Sequence, residues 1–467
     1  MFDTLIAHGT IITMNGERQI IEDGAVGITN GEITHVGPWR DELDGAAEFI
    51  DATGHIVMPG IVDTHGHAGH SLTRGLGEGL DDGGWMDTVE TIYFRASTES
   101  FWAAESRLAA WERLRFGVTT SVSMTGSSPR VDSVRYALAA ATGYREMGLR
   151  HIVAIGPPQA PWPRVYTNEV GERVTVDLEH ALRTTEEAIQ TFADINEPLL
   201  KFFVGPSAIC PTDSSDDHQE RQVNGVVALL QKYNANLHTH AYGGQISKAF
   251  SINPEILGPH TLLAHCAGIS LDEVRILADT GTHATTGPLT HAYVSARFPV
   301  VEALDAGVNV VFSTDGSAPD RSFDLIDQAR IGVQLQRVHF NDSRLIPLGK
   351  TLEMITLNAA RALGMDDKVG SLEAGKRADV ILIDAARPHL APGILPVARV
   401  VGHATGHDVS TVLIDGKVVM RDRLIDVDDR AIVADATAEL MAAWERAGFG
   451  DINAMHPNTW GAVRYNQ

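Results

Sequence analysis

Two imidazoles one residue apart at a strand end can hold one metal ion from the same side, and neutral imidazole suits a divalent first-row metal. The chain offers such a pair in Met58-Pro-Gly-Ile-Val-Asp-Thr-His-Gly-His67, where Ile61 and Val62 read as a short buried strand ending in His65 and His67. Side chains alternate along a strand, so Asp63, His65 and His67 are expected on one face. A pair of surface histidines in a glycine-rich turn would look the same, and the partners downstream separate the two readings. His238-Thr-His240 repeats the spacing after Asn236-Leu, with His240 nearer the strand end. His265 closes Leu262-Leu-Ala, and Asp315 closes Val308-Asn-Val-Val-Phe-Ser-Thr ahead of Gly316. Four strand ends with metal-competent or acid–base side chains point to a metal site.

Such ends meet only if parallel strands are arranged around one mouth. Between 59 and 365 short apolar runs alternate with stretches apolar at helical spacing. The runs include Gly117-Val-Thr-Thr-Ser-Val, His151-Ile-Val-Ala-Ile and Leu199-Leu-Lys-Phe-Phe-Val; the helical stretches include Glu105–Arg115 and Asn224–Tyr233. This many strand–helix units predict an α/β fold, a (β/α)8 barrel with its site at the C-terminal ends of the strands. Residues 1–58 and 366–430 carry β-like runs separated by Asn15-Gly16, Asn30-Gly31 and Asp415-Gly416, pairs that favour hairpin turns. Each piece is too small for its own core, so the two are expected to pair into a small β-sandwich domain. Residues 431–467 are expected to form a helix near Ala431–Arg446 and a tail, with Trp460 and Tyr465, that orders by docking.

The 467 residues carry 37 basic and 60 acidic side chains, a net charge of -23. That balance disfavours nucleic acid and anionic membranes as partners. No apolar run reaches the length of a membrane span, and the first residues lack the pattern of a signal peptide. The two cysteines, Cys210 and Cys266, cannot build a disulfide framework, and Cys266 reads as core. A cytoplasmic protein acting on a small molecule is expected, as a homo-oligomer (dimer or tetramer).

The stretch from His55 to Arg74-Gly75, Leu262-Leu-Ala-His265, Ser313-Thr-Asp-Gly316 and Val369-Gly-Ser-Leu-Glu-Ala-Gly-Lys-Arg-Ala-Asp-Val380 resemble the amidohydrolase superfamily. The resemblance covers nearly the whole chain. It lies nearest the branch of nucleobase and triazine aminohydrolases, and within it resembles bacterial hydrolases of phenylurea and thiocarbamate herbicides. It implies His65, His67, His240 and Asp315 as ligands of one divalent ion (zinc first, with cobalt, manganese or iron as alternatives). It implies Asp315 and His265 as the catalytic groups. A bound ion lowers the pKa of water and polarises a carbonyl; Asp315 would move the proton to the leaving group, and His265 would stabilise charge on the substrate oxygen.

One departure bears on substrate. Deaminases of this branch place a glutamate three residues after the histidine of the fifth strand, where it protonates a ring nitrogen. Here that position is Gly243. Hydrolysis of a urea, amide or thiocarbamate at C–N or C–S needs no such acid and is the expected reaction, with an aminohydrolase or dechlorinase of an N-heterocycle as the alternative. In the alternative, His238 or His291 would supply the proton. Lys201 could be a carboxylated bridge between two metals, but its strand runs on to Val204, which places it below the mouth; one ion is expected. Trp85, Arg74, His238 and Tyr242 are candidates for touching the substrate. Tyr93 and Phe94 are read chiefly as seam aromatics, and Arg74 reads equally as half of an ion pair.

Overall fold

In a computed structural model of the chain, described for all residues except 44, 78, 81, 293–295, 455 and 462–467, eight parallel strands form a nearly closed barrel. In order around the ring they are Ile61–Asp63, Val118–Thr125, Arg150–Ile155, Leu200–Val204, Leu237–Tyr242, Thr261–Ala267, His283–Thr286 and Val310–Phe312. Every residue of Val118–Thr125 and of Arg150–Ile155 is buried, as expected of parallel strands covered on both faces. The expected helical stretches are longer than their periodic parts, at Glu99–Arg115 and Asp216–Tyr233. Thr98 Oγ1 accepts from Phe101 N at the start of the first, and Ser215 Oγ from His218 N at the start of the second.

Among the described residues the ring is not closed by a strand ladder. Thr314 N and Thr314 Oγ1 donate to the Asp63 carboxylate at 3.0 and 2.6 Å, and Asp315 N donates to His65 O at 3.1 Å. Asp63 therefore does not stand beside His65 and His67 as the alternation predicted. The first strand breaks after Asp63, and its carboxylate serves the closure instead; His67 belongs to a separate short strand, His67–Ala68, paired with Met124 and Thr125.

Both ends of the chain contribute to a second, eight-stranded sheet. Its order is Lys417–Met420, Val409–Ile414, Val380–Asp384, His55–Pro59, Phe2–Ile12, Ile20–Thr29, Glu32–Pro38, with Ala46–Asp51 also alongside Phe2–Ile12. Asn30 and Gly31 (φ 53° and 75°) and Asp415 and Gly416 (φ 53° and 77°) make the predicted tight turns with both central residues left-handed. Asn15-Gly16 does not: its loop runs from Ile12 to Ile20, and Asn15 Oδ1 accepts from Gln19 N. The last helix, Asp429–Arg446, buries Ala436 and Ala443 and ties Arg446 Nε to Ala96 O at 2.8 Å. Tyr465 lies outside the described residues. Among the described residues, no helix is long and apolar enough to cross a membrane.

Val380–Asp384 pairs with His55–Pro59 from Val380 opposite Pro59 to Asp384 opposite His55, shortly before the turn that carries His65 and His67. Asp379 also accepts from Gly60 N and holds Arg150 of the third barrel strand. Deleting residues 370–467 should therefore give aggregated chain in size-exclusion chromatography; a monodisperse, folded truncation would contradict this interlock.

Candidate active site

The barrel strands deliver five side chains to one point. His65, His67, His240 and His265 place one ring nitrogen each within 4.8 Å of one another, and all four are buried. Asp315 Oδ1 lies 3.4 Å from His65 Nε2 and 3.2 Å from His67 Nε2, while His67 Nε2 and His240 Nε2 are 3.3 Å apart. In three of the four histidines the second ring nitrogen has a partner. His67 Nδ1 donates to Gly126 O at 2.8 Å and His240 Nδ1 to Ser207 O at 2.7 Å. His65 Nδ1 meets His238 Nε2 at 2.8 Å. Carbonyl acceptors at Nδ1 fix the tautomer of His67 and His240, so each Nε2 presents a lone pair to the common point. His65 Nε2 is buried there with no hydrogen-bond partner. Three nitrogen lone pairs and a carboxylate oxygen around one buried point fit a divalent cation.

Electrostatics agree with that donor set. Burial, the leading cause, holds His240 down to about 4 and His238 down to about 3, and keeps His65 and His265 well below the usual imidazole range. All four are neutral at pH 7, as ligation or hydrogen bonding to substrate requires. Burial alone would raise Asp315, but the Arg321 charge and the adjoining His65 and His67 rings outweigh it and hold the carboxyl well below its usual range. Asp315 Oδ2 also accepts from Thr290 Oγ1 at 2.7 Å, which fixes the plane of the carboxylate.

Backbone geometry is unusual at these residues. His265, Cys266 and Asp315 have φ of 66°, 48° and 60°. L-residues enter that region only where the surroundings hold them, and functional sites are where such cost collects. On the sixth strand the cause is a bulge: Ala241 pairs with His265 but Tyr242 with Ala267, so Cys266 is the extra residue and His265 is re-aimed inward. Cys266 itself is buried in the core, as expected.

The cluster lies in a cavity of about 990 Å³, whose walls include Trp85, Met86, Phe94, Tyr242, Thr290 and Arg321. Trp85 and Tyr242 thus line the cavity, as the sequence suggested. Phe94 does too, on a π-helical turn at Ile92–Ala96, whereas Tyr93 packs on Trp102 with its hydroxyl bonded to Thr73. Arg74 is a correction: it is exposed, and Nη2 binds Glu112 Oε2 at 2.5 Å, the ion-pair reading. His238 is also corrected, since it stands behind His65 and reaches the cavity only through that ring. His291 bonds to Thr286 Oγ1 and Ala296 O and is not among the cavity walls. Lys201 lies on the second residue of its strand, in a separate groove with Asn234 and Asp367, at the opposite end of the barrel from the cluster.

The sequence reading passed over three groups. His70 stacks on His67 (centroids 4.8 Å apart), bonds Ser127 Oγ through Nε2 at 2.9 Å and lines the cavity. A third imidazole three residues beyond His67 was the available signal. Arg321 lies 3.7 Å from Asp315 Oδ2, and only its place six residues after the aspartate hinted at it. Glu90, with burial pushing its carboxyl up against the pull of Arg164 and Gln159, sits on the opposite wall and carried no sequence signal.

A (β/α)8 barrel with histidines and an aspartate gathered at its strand ends defines a metal-dependent hydrolase. The chain belongs to the amidohydrolase family, whose profile matches residues 56–419. A 5-methylthioadenosine/S-adenosylhomocysteine deaminase of Symbiobacterium thermophilum is 32% identical over 445 residues, 90% of this chain and 93% of that protein. A 5'-deoxyadenosine deaminase of Methanosarcina mazei is 28% identical over 452 residues, 93% and 97% of the two chains. Among solved structures, a zinc-bound adenosine deaminase from Xanthomonas campestris superposes with a TM-score of 0.81 at 23% identity, covering 95% of this chain and 99% of that one. An atrazine chlorohydrolase from Arthrobacter aurescens in complex with zinc and atraton gives 0.79 at 21% identity, covering 94% and 100%. Three of these relatives bear the names of deaminases of adenosine or its derivatives and the fourth that of a triazine chlorohydrolase; none is named as a urea or thiocarbamate hydrolase, so the finest step of the sequence resemblance is not the one the comparisons support.

His67→Ala should lose bound metal by elemental analysis; full metal content in that variant would overturn the ligand set. The metal-free chain should also lose stability as pH falls. His240 takes its proton near 4 in the fold but near 6.5 once unfolded, so below 6.5 the unfolded chain binds protons that the fold refuses. The other buried imidazoles act in the same direction and outnumber Asp63, Glu90, Glu105 and Asp324, whose raised carboxyls act against them. Tm of the stripped protein should fall between pH 6.5 and about 4; a flat profile would contradict neutral burial.

Proposed function

We propose that the chain removes an amino substituent from an N-heterocycle of the adenosine-derivative kind by hydrolysis at the ring carbon. The observation that carries this reading is the full-length likeness to deaminases of such compounds, spanning nine-tenths or more of both chains. The cavity volume falls within the range of small-molecule sites.

His65, His67, His240 and Asp315 would hold one divalent ion, zinc by analogy with the solved neighbours. When bound, that ion would acidify water and polarise the carbon under attack. The residues supply the rest. Asp315 is ionised, and its Oδ1 faces the cluster while Thr290 and Arg321 hold Oδ2, so it takes the proton that water gives up as the C–O bond forms. The same carboxyl returns that proton to the departing nitrogen as the C–N bond breaks, leaving an oxo-heterocycle and ammonia. His265 is neutral and stacked 5.0 Å from His240, where an N–H can stabilise charge on the substrate.

A second reading, hydrolysis of a urea, amide or thiocarbamate, is favoured by one observation. The family's ring-protonating acid is absent at Gly243, and a Cβ there would lie 2.4 Å from the carbonyl oxygen of Gly268. Purified enzyme should be offered 5'-deoxyadenosine, 5'-methylthioadenosine, an aminated triazine, an N-aryl urea and a thiocarbamate. Ammonia from the heterocycles supports the first reading; amine or thiol from the acyclic compounds, with no ammonia from any ring, replaces it with the second. On the substrate that turns over, Asp315→Asn should lower kcat/KM by about a hundredfold or more, the usual scale of positioned proton transfer, and His265→Asn by less. An undiminished Asp315→Asn variant would remove Asp315 from the mechanism.

A further inference from the structure

We infer that Arg113 is a positioning residue that sets the spacing between the His65–His67 pair and Asp315, and through it the affinity of the site for its ion. The inference rests on the reading of those residues as metal ligands. Arg113 stands near the end of helix Glu99–Arg115 and is 0% exposed. Its guanidinium lies 3.6 Å over the ring of Phe323, which follows the eighth strand. Nη1 donates to the Tyr144 hydroxyl at 3.1 Å, and Nη2 to Asp63 Oδ2 at 3.3 Å. That carboxylate is the one that accepts both bonds from Thr314. One side chain thus reaches the end of the first barrel strand and, through a single carboxylate, the residue before Asp315.

The same guanidinium presses on the metal turn. A Cβ on Gly66 would lie 2.6 Å from Arg113 Nη2, so Gly66 leaves the space that lets the arginine pass directly behind the backbone linking His65 to His67. Among the described residues no ladder joins the last barrel strand to the first, which leaves the bonds at the Asp63 carboxylate, with that from Asp315 N to His65 O, as the polar ties between the two arms that carry the cluster. A buried carboxylate is costly unless paired, and Arg113 is its ion-pair partner. Glu105, also 0% exposed, lies in the field of the same guanidinium. Lysine offers a point charge and cannot contact Asp63 and Tyr144 from one planar group while lying on an aromatic face. Without Arg113 the carboxylate loses its counter-charge and the two arms lose their fixed separation. Loss of residues that orient metal ligands in this way typically costs about 10–100-fold in metal affinity.

The test uses the full-length chain, stripped of metal and reloaded with cobalt(II), whose visible absorption reports coordination geometry. Affinity is measured by competition with a chelator. Arg113→Met should weaken cobalt binding about 10–100-fold and change the spectrum, with Arg113→Lys falling between it and the parent. Thr314→Val keeps the arginine but removes one bond to Asp63, and should shift both readouts in the same direction; it decides the matter if Arg113→Met does not fold. Arg150→Met, a buried arginine paired with Asp379 at the other end of the barrel, should lower Tm and leave the cobalt spectrum unchanged. Parental affinity and spectrum in both Arg113→Lys and Thr314→Val would overturn the inference. A parent chain that takes up no cobalt would overturn the ligand reading itself, and the inference with it.

Discussion

A buried imidazole that offers a lone pair at one ring nitrogen must commit its proton at the other. In this chain the commitment is made at Nδ1. Gly126 and Ser207 offer backbone carbonyls to His67 and His240, and His238 takes up His65. Each acceptor comes from a different part of the barrel: the end of the second strand, the loop after the fourth, and the fifth strand. The tautomers, and so the inward lone pairs, depend on the registers of several strands at once. A slip of one residue in the second, fourth or fifth strand would turn an acceptor away and leave a buried polar atom unpaired, a cost of about 1–3 kcal/mol each. The fold and the site are specified by the same set of contacts.

Much of this was legible in the sequence because it follows from period and alternation. The His-x-His pairs, the Leu-Leu-Ala-His265 run and the turn at Asp315 all sit at strand ends, and a barrel brings strand ends together. Asn30-Gly31 and Asp415-Gly416 announced their turns through residues that tolerate positive φ. What could not be read depends on contacts between distant segments. Asp63 looked like a neighbour of His65 by alternation, yet its carboxylate is consumed by Thr314 and Arg113, some 250 and 50 residues away. Arg74 stands beside the motif but turns to Glu112. The bulge at Cys266 carries no signature in composition, though it decides where His265 points.

The cavity wall opposite the cluster has a character of its own. Trp85 and Phe94 give it apolar faces, while Glu90 is held by Gln159 Nε2 at 3.1 Å and stands 3.6 Å from Arg164. Arg164 donates to Gln159 O and Ala160 O and lies over the Phe94 ring. A wall built from interlocked charges and rings is rigid, and rigidity of that kind lets a pocket discriminate between ligands by the cost of leaving a buried polar group unmatched.

The contact between Gly243 and Gly268 has a consequence for ancestry and redesign. Gly268 is itself left-handed, at φ 71°, and its N–H is tied to Arg297 O at 2.9 Å, so its carbonyl does not swing aside freely. Any side chain at 243 meets that oxygen. The two positions are therefore epistatic: a carboxylate at 243 becomes tolerable only after the segment carrying 268 has moved, and that movement offers no benefit until the carboxylate is there. A side chain at 243 therefore requires a shift of the segment after the sixth strand. A laboratory library that varies position 243 alone explores a closed door.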